Sequence, residues 1–207
     1  MIKNEKFTDR RLARTQNVIK SSGQLITDAV SERGYGMYSR LRQYHLIGAI
    51  GGFLTVLTAI ISLVVSTSYY ISTESVIMVN ILNIASNGLL AACFFGAFSI
   101  SRDSLIKIGS LIAGIGLGWN ILIAILQMAG VYVFVLALLG SLVMIAGIVI
   151  ACIKYIMLFQ KDAFIVVFCV FIFLGLLLYL FWTWACMITG AGLGGLLIYF
   201  YAHNITY

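Results

Sequence analysis

The 207 residues are 62% hydrophobic and 10% charged, carry a formal net charge of +6 and include no proline. A soluble domain carries about a quarter charged residues, so this composition excludes a soluble globular fold and points to an all-α polytopic membrane protein. Without proline no helix is forced to kink by a missing N–H, and straight packed spans are the expectation.

Residues 1–45 read as a basic extramembrane arm, with nine Lys and Arg against Glu5, Asp9, Asp28 and Glu32. The arm lacks the apolar core and small-residue cleavage site of a signal peptide. Short helices are expected over 8–20 and 23–32, the second broken by Gly34-Tyr35-Gly36. Arg10, Arg11, Arg14, Arg40 and Arg42 suit two roles. One is docking to other membrane protein subunits. The other is attraction to anionic lipid headgroups, where each basic residue contributes about 1 kcal/mol. Nucleic acid is not an expected partner. Tyr38, Leu41 and Tyr44 look like interfacial anchors.

Charge-free runs count the spans, since about 20 apolar residues cross a hydrocarbon core of about 30 Å. The runs between Arg42 and Glu74 and between Glu74 and Arg102 each suit one helix. Those from Ile108 to Met157, broken only by Lys154, and from Ala163 to Tyr207 are each long enough for two. Six transmembrane helices follow, in a bundle over 46–202 with a short tail at 203–207. The first covers 46–67, the fourth 131–153, the fifth 163–180 and the sixth 186–201. In this arrangement all 13 Lys and Arg fall on one side and Glu74 alone on the other. The positive-inside rule then puts both termini in the cytoplasm, or in the matrix or stroma of an organelle. The membrane is a plasma membrane or an organellar inner membrane.

The second and third spans form a hairpin over 76–129. Folding about Asp103 and Ser104 sets Asn80 opposite Gln127, Asn83 opposite Ala124 and Asn87 opposite Asn120. Below these, Ala91 meets Gly116, Phe94 meets Ala113 and Phe98 meets Gly109. The spacing from 80 to 98 follows one helical face. Five carboxamides in apolar helices need partners, because an unsatisfied polar group in hydrocarbon costs several kcal/mol. Facing amides can satisfy one another as a structural clasp, or line a neutral polar pore or ligand site open toward Glu74.

Small residues four apart permit close helix approach in membranes, and Gly48 with Gly52, Gly114 with Gly118 and Gly190 with Gly194 are read as packing contacts. Gly190-Ala191-Gly192-Leu193-Gly194-Gly195 also fits G-x-G-x-x-G, but it lies in a span with no preceding strand and no acid after it, so no nucleotide is expected. The fourth span has Ser141 as its only strongly polar residue. No carboxylate, lysine or histidine lies mid-span, as a proton relay or membrane metal site would require. Cys93, Cys152, Cys169 and Cys186 lack ligand spacing. The expectation is a non-enzymatic protein without cofactor or metal, serving as a structural or assembly subunit of a membrane complex. The alternative is a small channel or passive transporter using the amide cluster, with a membrane enzyme a distant third.

Overall fold

The computed structural model describes residues 39–68, 72–131, 134–179, 185–203 and 205. Six helices follow one another: α1 (Ser39–Thr67), α2 (Thr73–Ile100), α3 (Ser104–Met128), α4 (Phe134–Leu158), α5 (Ala163–Tyr179) and α6 (Cys186–His203). Five are long and apolar enough to cross a membrane, the mark of an integral membrane protein, and α5, with 17 residues, is shorter. At 1.5 Å per residue it covers roughly 26 Å against a hydrocarbon core of about 30 Å. Leu41–Tyr207 forms one compact unit. Arg10, Arg11, Arg14 and both short helices expected in the arm lie outside the described residues. α1 begins at Ser39, earlier than the expected 46, and so carries Arg40 and Arg42 on its first turn.

Helix ends are set by local polar chemistry. In α1, Ser66 Oγ donates to Leu63 O at 2.9 Å, Thr67 Oγ1 to Leu63 O at 3.0 Å and Ser68 Oγ to Val64 O at 2.7 Å. These bonds satisfy carbonyls that have no further turn to accept from. Ser72 caps α2, accepting from Ser75 N at 3.2 Å. Asp103 caps α3, its Oδ1 accepting from Leu105 N at 2.9 Å and Ile106 N at 3.2 Å. α3 stops at Gly130, whose φ of 79° lets Val131 N reach back to Leu126 O at 2.9 Å. Asp162 opens α5, accepting from Phe164 N at 3.1 Å.

The helices pack as a ring in chain order. α2 lies against α3, α3 against α4, α4 against α5 and α5 against α6. α1 closes the circle, touching α2 on one side and α6 on the other. A Cβ on Gly48 would meet the Cys93 side chain of α2 and, at 2.7 Å, Leu197 Cδ1 of α6. Gly52 sits against the backbone of Gly190 and Gly194. Six antiparallel steps put the Asp103, Lys154 and Asp162 turns at one end of the ring and Glu74 at the other.

The charged end is filled. Phe200, fully buried, takes rings from α1, α4 and the turn after α4: His45 at 5.3 Å, Tyr155 at 5.2 Å edge-on and Phe159 at 6.0 Å between centroids. Cys93, Phe94, Cys152 and Leu197 pack beside it. Two residues read as interfacial anchors turn inward here: Tyr44 seats its ring on Gly96, and Leu41 is buried, as is the neighbouring His45. Aromatic side chains near a helix end serve a core or a headgroup layer equally well, so their position in sequence did not separate the two.

The hairpin differs from expectation in its lower half. Gly109 and Gly116 point at α4, where a Cβ would meet Ala151 N at 2.8 Å and Met144 Cα at 2.6 Å, and Gly147 of α4 abuts Ala113. The small face of α3 therefore serves α4, not the α2 rings. It is Phe95, not Phe94, that reaches across from α2, where a Cβ on Gly114 would meet its ring at 2.9 Å. Phe98 is exposed. In a ring, α3 has two equivalent neighbours, and a pattern of small residues does not say which one they face.

Candidate functional site

With no helix in the centre, the Glu74 half of the ring encloses a cavity of about 370 Å³ lined by all six helices. Its floor is apolar, with one residue from each of five helices: Leu90, Leu117, Ile148, Leu176 and Leu193. Its sides carry the polar residues, interspersed with apolar ones such as Ala59, Ile123 and Met144. α2 supplies Asn80, Asn83, Ser86 and Asn87, and α3 supplies Asn120 and Gln127. α1 adds Thr55, Thr58, Ser62 and Ser66, while Ser141, Tyr179, Cys186 and Thr189 come from α4, α5 and α6. The wall runs out to exposed Ser62, Ser66 and Gln127. At that end the connections 69–71, 132–133 and 180–184 lie outside the described residues.

All five carboxamides singled out in the sequence stand on this wall. Among the described residues no hydrogen bond joins any two of them. Asn80 is only 6% exposed. Asn120 Nδ2 reaches Met144 Sδ at 3.6 Å, and a thioether is a weak acceptor. The amides thus keep most of their donors and acceptors for the cavity. A clasp would have consumed them.

The hydroxyls divide into two kinds. Thr55 Oγ1 donates to Gly51 O at 3.0 Å, Thr58 Oγ1 to Leu54 O at 2.8 Å and Ser86 Oγ to Asn83 O at 3.1 Å. Their protons are committed to their own helices, which leaves oxygen lone pairs toward the cavity. Thr189 is different: it is 8% exposed, and its Oγ1 has no partner among the described residues. These hydroxyls were not picked from the sequence, yet Thr55, Thr58, Ser62 and Ser66 recur at helical spacing. That periodicity was the available signal.

Among the described residues no Asp, Glu, Lys, Arg or His lines the cavity. Charge gathers at the opposite end of the bundle. Lys154 Nζ lies 2.9 Å from Asp103 Oδ2, and this hydrogen-bonded ammonium, aided by the two capping N–H groups, holds the Asp103 carboxyl below its ordinary value. Tyr199 Oη donates to Asp162 Oδ2 at 2.9 Å. Arg42 lies over the Tyr201 ring, 4.5 Å from its centroid, and Arg40 is exposed at the start of α1. Among the described residues no three His, Cys, Asp or Glu gather as a metal site. Cys93, Cys152 and Cys169 are buried, and Cys186 is partly exposed.

Of the glycines read as packing contacts, Gly48 faces α2 and α6, Gly52 meets Gly190 and Gly194 across the α1–α6 seam, and Gly114 faces Phe95. Gly118 departs from that reading, because nothing stands within 4 Å of where its Cβ would be. It lies on the outer face of α3, about one turn beyond Gly114, and so outside the contact.

Compared with known protein families, curated proteins and solved structures, the chain matches none.

Proposed function

We propose that this protein is a small channel or passive transporter whose solute passes through the central cavity. One observation carries the reading: five intramembrane carboxamides line a cavity of about 370 Å³ without bonding to one another. Polar groups in hydrocarbon are costly unless satisfied, and their collection around one space is accounted for by water or solute occupying it. The charge distribution orients the protein with its termini and the Asp103 end in the cytoplasm, matrix or stroma. The cavity then faces the opposite compartment. Passage requires the aromatic plug around Phe200 to open. With no charged group on the wall, neither voltage nor a proton gradient has a handle in the cavity. No catalytic role is proposed.

The test is flux in liposomes containing the purified protein. Asn87→Leu with Asn120→Leu should abolish it while the melting temperature in detergent holds. Normal flux through a well-folded double variant would remove these residues from the pathway.

A second reading, an assembly subunit in a larger complex, is supported by the outer faces of α2 and α3. A Cβ on Gly88 or on Gly118 would meet nothing within 4 Å, and outward small residues suit contact with a partner helix. Arg40, Arg42 and the arm would then dock to another subunit or to anionic headgroups. Purification in mild detergent distinguishes the two: a stoichiometric partner favours assembly, and a monodisperse single species counts against it.

A further inference from the structure

The chemistry of the cavity wall narrows the solute, and this narrowing rests on the transport reading. We infer that the cavity takes an uncharged polyhydroxylated solute of monosaccharide size, a short polyol or sugar.

Charge is the first selector. Among the described residues no formally charged one lines the space, so an ion would lose its hydration without gaining a counter-charge, and that loss is large for carboxylate and ammonium alike. Hydrogen bonding is the second. Thr55, Thr58 and Ser86 direct their protons to their own backbone carbonyls and present lone pairs. The carboxamides present N–H donors and carbonyl acceptors together. A hydroxyl group donates and accepts at one atom, so it satisfies both kinds of neighbour. A carboxylate has no proton to give the threonine and serine oxygens, and a metal cation cannot accept from the amide N–H groups.

Shape is the third selector. Sides bearing amides and hydroxyls among apolar residues stand over an apolar floor of Leu90, Leu117, Ile148, Leu176 and Leu193. Polyols and sugars have the same division, with hydroxyls on the rim and C–H groups on the face. The volume lies near the lower limit of small-molecule pockets, which run from about 300 to 1,000 Å³. Thr189 completes the α6 side of the wall, with its Oγ1 buried against Gly175 of α5 and without a partner among the described residues.

Two measurements test this on the full chain. The first is entry of sorbitol, gluconate and K⁺ into liposomes carrying the protein; sorbitol and gluconate share a carbon skeleton length and differ by a carboxylate. The second is labelling of Cys186, the partly exposed thiol on the wall, by a membrane-impermeant maleimide with and without sorbitol. Sorbitol should enter at least about tenfold faster than into empty liposomes, with gluconate and K⁺ at the empty-liposome rate, and should slow Cys186 labelling. Protection of Cys186 without sorbitol entry supports the ligand class and overturns the transport reading. Entry of K⁺ or gluconate, without entry or protection by sorbitol, overturns the ligand class and leaves transport standing. Absence of all flux and all protection overturns both.

Discussion

A Cβ added to Gly52 of α1 would stand 2.6 Å from the backbone nitrogen of Gly194 on α6. Backbone faces backbone there, with no flexible side chain able to yield. The α1–α6 seam is therefore tight because two glycines meet, and the closed ring depends on it.

Gly52→Ala should accordingly destabilise the bundle by about 1–3 kcal/mol, the usual cost of forcing extra volume into a packed contact. Gly118→Ala is the matched control, since its Cβ meets nothing within 4 Å. It should be neutral or stabilise by up to about 1 kcal/mol through helix propensity. Thermal unfolding in one detergent, followed by circular dichroism, reads both. Equal shifts for the two variants would mean that the seam is loose.

Asn83→Leu separates a cavity wall from a clasp. No amide of the cluster bonds to another among the described residues, so removing this one should leave the melting temperature unchanged or raise it. A clasp predicts a loss, with interhelical bonds in membranes averaging about 0.6 kcal/mol. A clear drop would restore the structural reading of the amides.

Thr189→Val replaces an unpartnered buried hydroxyl by a methyl of similar shape. Leaving such a group unsatisfied costs about 1–3 kcal/mol, so the variant should melt higher. If the hydroxyl serves a ligand, solute entry should fall in the same variant. Higher stability combined with slower flux identifies a residue kept for use instead of for packing.

The Asp103–Lys154 pair gives a pH signature. The Asp103 carboxyl titrates below its ordinary value in the folded protein, so its contribution is complete above the unfolded value of about 3.9. It is lost as pH falls through the lower folded value. Both side chains are partly exposed, which limits the pair to about 0–1 kcal/mol. Lys154→Met should lower stability by that amount at neutral pH, and the difference from wild type should vanish below the folded value. Asp103→Ala, which also removes the α3 cap, should cost about 1 kcal/mol more.

Much of the helix layout could be read in advance because charges and polar caps punctuate this chain. Asp103 divides α2 from α3, Asp162 opens α5, and Gly130 ends α3, each through a local hydrogen bond or backbone angle that its residue type favours. The amide face was equally legible, since five carboxamides at helical spacing in hydrocarbon have few alternatives. The partner of the small α3 face was not. Gly109 and Gly116 could have served α2 or α4, and only the ring order decides for α4. Nor did the sequence reveal that Tyr44 and His45 pack inward, or that Thr189 Oγ1 finds no partner among the described residues, because each depends on helices distant in the chain. Ring closure by Gly52 and Gly194 lay beyond reach for the same reason.

That closure has a consequence for how the protein is made. Five of the six neighbouring pairs in the ring are joined by a short connection and can meet as soon as the second member is synthesised. α1 and α6 are joined by nothing shorter than the rest of the bundle. α1 is translated first of the six and its seam partner last, so the face bearing Gly52 must wait in the bilayer through synthesis of the 118 residues (68–185) that separate the two helices. Contacts between such distant segments form late and slowly. A chain truncated after α5 would keep four hairpin contacts but leave an open arc with its amides exposed to lipid. The seam is thus the natural checkpoint for quality control during membrane insertion.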